Sequence, residues 1–140
     1  MPTPRSAEVC GLAAIRVLTV DDHATFRQAA RALIDATDGF EVAGEAASGE
    51  AGVAAALRLH PDLVLMDVHL PDIDGYEATR RILPLQPDAI VILVSAAEEA
   101  NQAEAAARCG AVAFACKETL RPRLLQDVWR RYGRPPATVG

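Results

Sequence analysis

Asp21, Asp22, Asp67, Ser95 and Lys117 are the residues whose types could do chemistry together, provided the fold brings them to one place. Two unit charges about 4 Å apart repel by roughly 4 kcal/mol at an effective dielectric near 20, so three clustered carboxylates need a cation. Oxygen ligands without thiolate or imidazole partners favour Mg²⁺, with Mn²⁺ as a substitute, held by one or two carboxylates plus phosphate oxygens. A lysine and a hydroxyl opposite the metal would donate to an oxyanion. That set suits in-line phosphoryl transfer onto a carboxylate nucleophile, giving an acyl phosphate, and Asp67 is the central candidate. The same crowding predicts that Asp21→Asn or Asp22→Asn raises the melting temperature of the metal-free protein.

The elements that must position these residues follow from the apolar patterning. Leu63 to Met66, with Val68 beyond, form a non-alternating apolar run that requires a strand covered on both faces, and it delivers Asp67 to a strand end. Ile15 to Val20 is a β-branched run ending in Asp21-Asp22, two carboxylates expected to be exposed. Phe40 to Glu45 reads as a weaker edge strand, Ala89 to Val94 as a buried strand terminating in Ser95, and Ala111 to Cys116 as a fifth strand with Lys117 at its tip.

Helical spacing fills the gaps. Ala24 to Ala36 places Phe26, Ala29, Ala30, Leu33 and Ile34 on one face, with Gly39 as the stop. Ser48 caps a second helix with Val53, Ala56 and Leu57 inward, and Tyr76 to Leu83 forms a third with Ala78, Ile82 and Leu83 inward. Glu98 to Arg108 is helical by propensity, with few large anchors, and ends at Gly110. Pro122 opens the last helix, whose inward face is Leu124, Leu125, Val128 and Trp129. Five strands alternating with five helices give a doubly wound parallel α/β sheet, with every polar strand tip converging beyond the carboxyl ends.

Composition agrees with a single domain. The chain has 140 residues, 51% hydrophobic, with a net charge of −5 and a pI near 5.1, which opposes nucleic-acid binding by the domain body. No run approaches a membrane span and the N-terminus lacks a secretory signal, so the expected location is cytoplasmic. Cys10, Cys109 and Cys116 form no CxxC pair, and a disulfide framework or zinc site is not expected. Residues 1–14 read as a flexible arm, 15–132 as the domain and 133–140 as a tail or linker.

Asp21-Asp22, the segment Leu65-Met66-Asp67-Val68-His69-Leu70-Pro71, Asp74-Gly75, Ser95-Ala96 and Lys117 stand in one order along residues 15–132, and with them the chain resembles the response-regulator receiver domains of bacterial two-component signalling. The resemblance implies a flavodoxin-like fold with strand order 2-1-3-4-5. It implies that Asp67 takes a phosphoryl group from a histidine kinase or phosphotransfer protein. Asp22 and Asp67 would bind Mg²⁺ directly, Asp21 through water, and the main-chain carbonyl of His69 would complete the protein's share. Ser95, Ala96 and Lys117 would bind phosphoryl oxygens, with Ser95 and Phe114 as the switch. Val20-Asp21-Asp22-His23 with Phe26-Arg27, and Gly39-Phe40-Glu41-Val42 with Gly44-Glu45-Ala46, are similar to the NarL/FixJ (LuxR-type) transcription regulators. Output would run through helix four, strand five and helix five, with a homodimer there or through helices one and five.

Three departures and one rival bear on this. Glu118 follows Lys117 where the family has a cis proline, and a cis non-proline bond costs roughly 3 kcal/mol, leaving a trans or a strained loop. Phe114 has no hydroxyl, and Asp72 adds negative charge at the rim. His23 and His60 read as surface or capping residues, Cys116 as a small buried hydrophobe, and Arg121, Arg123, Arg130, Arg131 and Arg134 as a solvated basic face. A pseudo-receiver, an interaction module that does not phosphorylate, is the alternative, against which the intact set counts. A carboxylate-nucleophile phosphatase would need a second carboxylate just downstream of Asp67, where Val68 and His69 stand. No helix-turn-helix follows residue 133, so DNA binding is not expected of this domain.

Overall fold

The computed structural model describes residues 14–96 and 102–133. Residues 1–13 of the expected arm (1–14), the expected helix start at Glu98, and residues 134–140 of the expected tail (133–140) lie outside the described residues. The elements are β1 (Ile15–Val20), α1 (Ala24–Asp35), β2 (Phe40–Ala46), α2 (Gly49–Leu59), β3 (Leu63–Asp67), α3 (Gly75–Ile82), β4 (Ile90–Ser95), α4 (Gln102–Cys109), β5 (Ala113–Cys116), a 3₁₀ turn (Lys117–Thr119) and α5 (Pro122–Tyr132). All strand pairs are parallel, in the order β2-β1-β3-β4-β5. The expected fold and strand order are both present.

The core has two halves because the central strands alternate between the sheet's faces. Leu18, Val20, Val64, Met66, Val91 and Leu93 pack with Ala55 and Ala56 of α2, Ala78 and Ile82 of α3, and Ala106 and Cys109 of α4. Val17, Leu63, Leu65, Ile92 and Val94 pack on the other face with Ala30 and Ile34 of α1 and Leu125 and Val128 of α5. Burying a side chain of this size contributes roughly 1.5–3 kcal/mol, which is why β1, β3 and β4 hold their ends fixed.

Several local expectations are corrected. Ala29 is exposed, so α1 buries a narrower stripe centred on Ala30 and Ile34. Leu57 is 38% exposed, whereas Gly49, Gly52, Ala55 and Ala56 are buried. The reason is close approach: a Cβ at Gly52 would meet the Val20 side chain at 2.7 Å, so α2 lies on its small residues and turns Leu57 outward. Gly39 does not terminate α1, which already ends at Asp35 with Ala36 as its C-cap; Gly39 makes the positive-φ turn into β2. α3 begins one residue earlier than its pattern indicated, on Gly75, and β5 begins at Ala113 rather than Ala111. His60 is a capping residue, at the left-handed C-cap of α2. Ser48 caps α2 by accepting from the Ala51 N–H, Pro122 occupies the first turn of α5, and Gly110, with φ 98°, follows the end of α4.

Candidate functional site

β1 and β3 are neighbours in register, Val20 opposite Met66, so the residues that follow them stand side by side at the carboxyl edge. Asp67 is 2% exposed and Asp21 is fully buried. That corrects the expectation of two exposed carboxylates after β1: only Asp22 faces solvent, because Asp21 is turned inward and its Oδ1 accepts from the His23 N–H at 2.8 Å. One ligand atom each of Asp21, Asp22, His23 and Asp67 lies within 4.8 Å of the others.

Lys117 reaches this cluster from the far side. Its ammonium is 2.6 Å from Asp21 Oδ2 and 3.7 Å from Asp67 Oδ2. Both oxygens are buried, and neither makes an aligned hydrogen bond among the described residues. We read the Asp21 contact as a charge contact made off the hydrogen-bonding direction. The Lys117–Glu118 bond is trans, and a 3₁₀ turn from Lys117 to Thr119 sets the loop where a proline was absent. Burial pushes the Asp67 carboxyl above its usual range, with the charge of Asp21 adding to the rise and Lys117 opposing it.

The loop after β3 holds Asp67 in place from behind. His69 N–H donates to Asp67 Oδ1 at 3.3 Å, and Gly75 N–H donates to the Val68 carbonyl at 2.9 Å. Gly75 is required there: any Cβ at that position would collide with the Asp67 main-chain carbonyl. Asp74 caps α3 through the Glu77 N–H. Asp72, expected to charge the rim, instead accepts from the Gly49 and Glu50 N–H groups at 2.8 Å each, tying the loop to the N-terminus of α2. Those bonds, above all the one from Glu50, hold its carboxyl below the usual range against a smaller effect of burial.

Ser95 is fully buried at the end of β4, paired in register with Cys116, and Ala96 lies exposed just beyond. Phe114 is half-buried on β5 opposite Leu93, packed on the α2–α3–α4 side of the core. Cys109 is buried, whereas Cys116 is only half-buried, its Sγ near the Ala96 carbonyl. The four described arginines of the basic face are exposed on α5 and its N-cap.

Two neighbours of the cluster were not expected as part of it. His23 stands at the N-cap of α1 without capping it, and its Nδ1 lies 3.1 Å from Asp21 Oδ1 and 3.2 Å from Asp22 Oδ1. Arg27 donates to the Asp21 carbonyl at 2.7 Å and fastens α1 to the end of β1. Only their nearness in sequence to Asp21-Asp22 could have signalled either.

A buried aspartate at the end of a central parallel strand, flanked by further carboxylates and faced by a lysine, defines a doubly wound α/β domain with one acidic crevice. The family model for the response regulator receiver domain matches residues 17–128, and the chain belongs to that family. Response regulator GacA of Pseudomonas viridiflava is 47% identical over 85 residues, 61% of this chain and 40% of that protein. A protein-glutamate methylesterase/protein-glutamine glutaminase of Anaeromyxobacter dehalogenans is 45% identical over 86 residues, 61% of this chain and 25% of that protein. The chain thus spans well under half the length of these curated relatives, and it is their receiver portion that it matches. Among solved structures, the signal receiver domain of the putative response regulator NarL from Mycobacterium tuberculosis superposes with a TM-score of 0.79 at 28% identity, covering 87% of this chain and 99% of that one. Among the described residues no helix is long and apolar enough to cross a membrane.

Proposed function

We propose that this receiver domain is a phosphorylation-controlled switch in which Asp67 is the phosphoacceptor. The observation that carries the reading is the Asp67 side chain: buried, its Oδ2 without a hydrogen-bond partner among the described residues, beside further carboxylates and 3.7 Å from the Lys117 ammonium. An unpartnered anionic oxygen in such surroundings is costly unless a ligand completes it.

The donor set fits a hard divalent cation. Asp22, Asp67 and the His69 carbonyl would hold Mg²⁺, or Mn²⁺, with Asp21 acting through water. When bound, the ion would neutralise charge on the incoming phosphoryl group and on the carboxylates around it. Asp67 supplies the nucleophile: a carboxylate oxygen bonds to phosphorus as the P–N bond of a phosphohistidine breaks, and the imidazole leaves with that electron pair and takes up a proton. Lys117, Ser95 and the Ala96 main chain would bind the transferred oxygens. Phosphohistidine would come from a histidine kinase or phosphotransfer protein in the cytoplasm. Readout would pass through Ser95 and Phe114 to the α4, β5 and α5 surface, or to an α1 and α5 dimer, in the receiver of a transcription regulator or in a stand-alone receiver.

Intact-mass spectrometry tests this. Acetyl phosphate should add one phosphoryl group only with Mg²⁺ present, and not to Asp67→Ala. Equal labelling of Asp67→Ala would refute the assignment, and no labelling of the native protein by acetyl phosphate or a phosphohistidine donor would favour the pseudo-receiver.

A further inference from the structure

We propose that Phe26 is a positioning residue for Lys117: its ring is the wall that seats the ammonium between Asp21 and Asp67. The inference rests on the phosphoacceptor reading for its consequence, but its geometry stands alone. Lys117 Nζ lies over the Phe26 ring, 4.7 Å from the centroid, within the range of a cation–π contact. The Lys117 side chain is 14% exposed, so ring and ammonium meet where water screens them little.

Lysine carries a flexible four-carbon stem, and β5 fixes only its root. Here a trans peptide to Glu118 and a 3₁₀ turn follow it. Lys117 follows β5, at one edge of the sheet, yet its ammonium lies beside residues at the ends of β1 and β3. Asp21 and Asp67 attract the ammonium but do not fix its direction, for Lys117 makes no aligned hydrogen bond to either buried Oδ2. Phe26 supplies that direction from the first turn of α1. The start of α1 is itself anchored, by Arg27 donating to the Asp21 carbonyl and by the Arg27 N–H bond to the His23 carbonyl. Phe26 is only half-buried against the α1–α5 side of the core. A side chain serving packing alone would accept leucine there, and this difference separates the two roles.

The experiment compares the native chain with Phe26→Leu and Phe26→Tyr. In proton NMR of the metal-free protein, ring current should shift the Lys117 ε-methylene upfield in the native chain and in Phe26→Tyr, and the shift should vanish in Phe26→Leu. With acetyl phosphate and Mg²⁺, Phe26→Leu should be labelled about three- to tenfold more slowly, as loss of one such contact predicts, and Phe26→Tyr should recover the native rate. An unshifted ε-methylene in the native chain overturns the proposal, as does Phe26→Leu labelled at the native rate, or Phe26→Tyr as slow as Phe26→Leu while its shift is retained. A native chain that shows the shift but takes no phosphoryl group refutes the phosphoacceptor reading instead and leaves the seating of Lys117 established by the NMR arm.

Discussion

Lys117 Nζ lies closer to Asp21 Oδ2, at 2.6 Å, than to Asp67 Oδ2, at 3.7 Å. The lysine is therefore the internal counter-ion of the acidic cluster, and it separates two variants that charge alone would treat alike. Asp21→Asn relieves repulsion but also removes this contact, so it should not stabilise the metal-free protein. Asp22→Asn leaves the contact intact and remains the stabilising change. Thermal scans of both variants without metal check this ordering, and a higher melting temperature for Asp21→Asn than for Asp22→Asn would contradict it.

Removing the lysine should expose the repulsion. In Lys117→Met, Asp21 and Asp67 stay buried without this counter-ion, a loss on the order of 3–5 kcal/mol in the metal-free state. Saturating Mg²⁺ should close much of that gap, because a ligand that binds only the folded state stabilises it by mass action. Chemical denaturation with and without Mg²⁺ measures both terms.

Asp67 itself should be a destabilising residue. Its folded carboxyl is raised, first by burial and then by Asp21, above the unfolded value near 3.8. A raised acid binds its proton more tightly when folded, so its contribution is most favourable below the unfolded pKa and declines as pH rises through the folded pKa. At pH 7 Asp67→Asn should melt higher than the native metal-free chain by about 3–5 °C, the shift that ~1 kcal/mol gives in a domain of this size. The difference should shrink toward pH 4, and Mg²⁺ should raise the native melting temperature far more than that of the variant. A lower melting temperature for Asp67→Asn at pH 7 would exclude this account.

Asp72 runs the opposite way. Its folded carboxyl is lowered by the Glu50 and Gly49 N–H bonds, so its stabilisation is present above the unfolded pKa and is lost as pH falls through the folded one. Asp72→Asn should be less stable than the native chain at pH 7 and converge with it in acid. Amide exchange at Gly49 and Glu50 should speed up in the variant, while Ala51, which donates to Ser48, changes less.

What was legible in the sequence was what has a period or a strand end. The non-alternating runs at Leu63–Met66 and Ile90–Val94 reported strands covered on both faces, and those faces fixed which polar tips would meet. Burial of individual helix residues was less legible, because α2 packs on Gly49, Gly52 and Ala55 as well as Ala56, and no hydropathy pattern marks a close approach by glycine. The partners of Asp72 and the aromatic neighbour of Lys117 were not legible: the Gly49 and Glu50 amides and the Phe26 ring are far away in the chain and near only once the crossovers are made.

A change at Asp67 should reach the surface through α4 and β5. Among its described side chains α4 buries only Ala106 and Cys109 in the core, and Phe114 packs half-buried on the same side. Small anchors stabilise little, so α4 should open locally at low free energy and be the element most readily displaced. Ser95 ends β4 beside the site, and its strand pairs with β5, which carries Phe114 and leads into Lys117. A phosphoryl group that engages Ser95 and Lys117 would gain charge-assisted hydrogen bonds of roughly 1.5–3 kcal/mol each. Two such bonds approach the ~5.5 kcal/mol of differential binding that moves a two-state equilibrium from 1:99 to 99:1. Hydrogen exchange with and without beryllofluoride should therefore change across α4 and β5, residues 102–116, and hardly at all in α1 and α2. Protection changes confined to residues 24–59 would show that the signal leaves by the other side of the sheet.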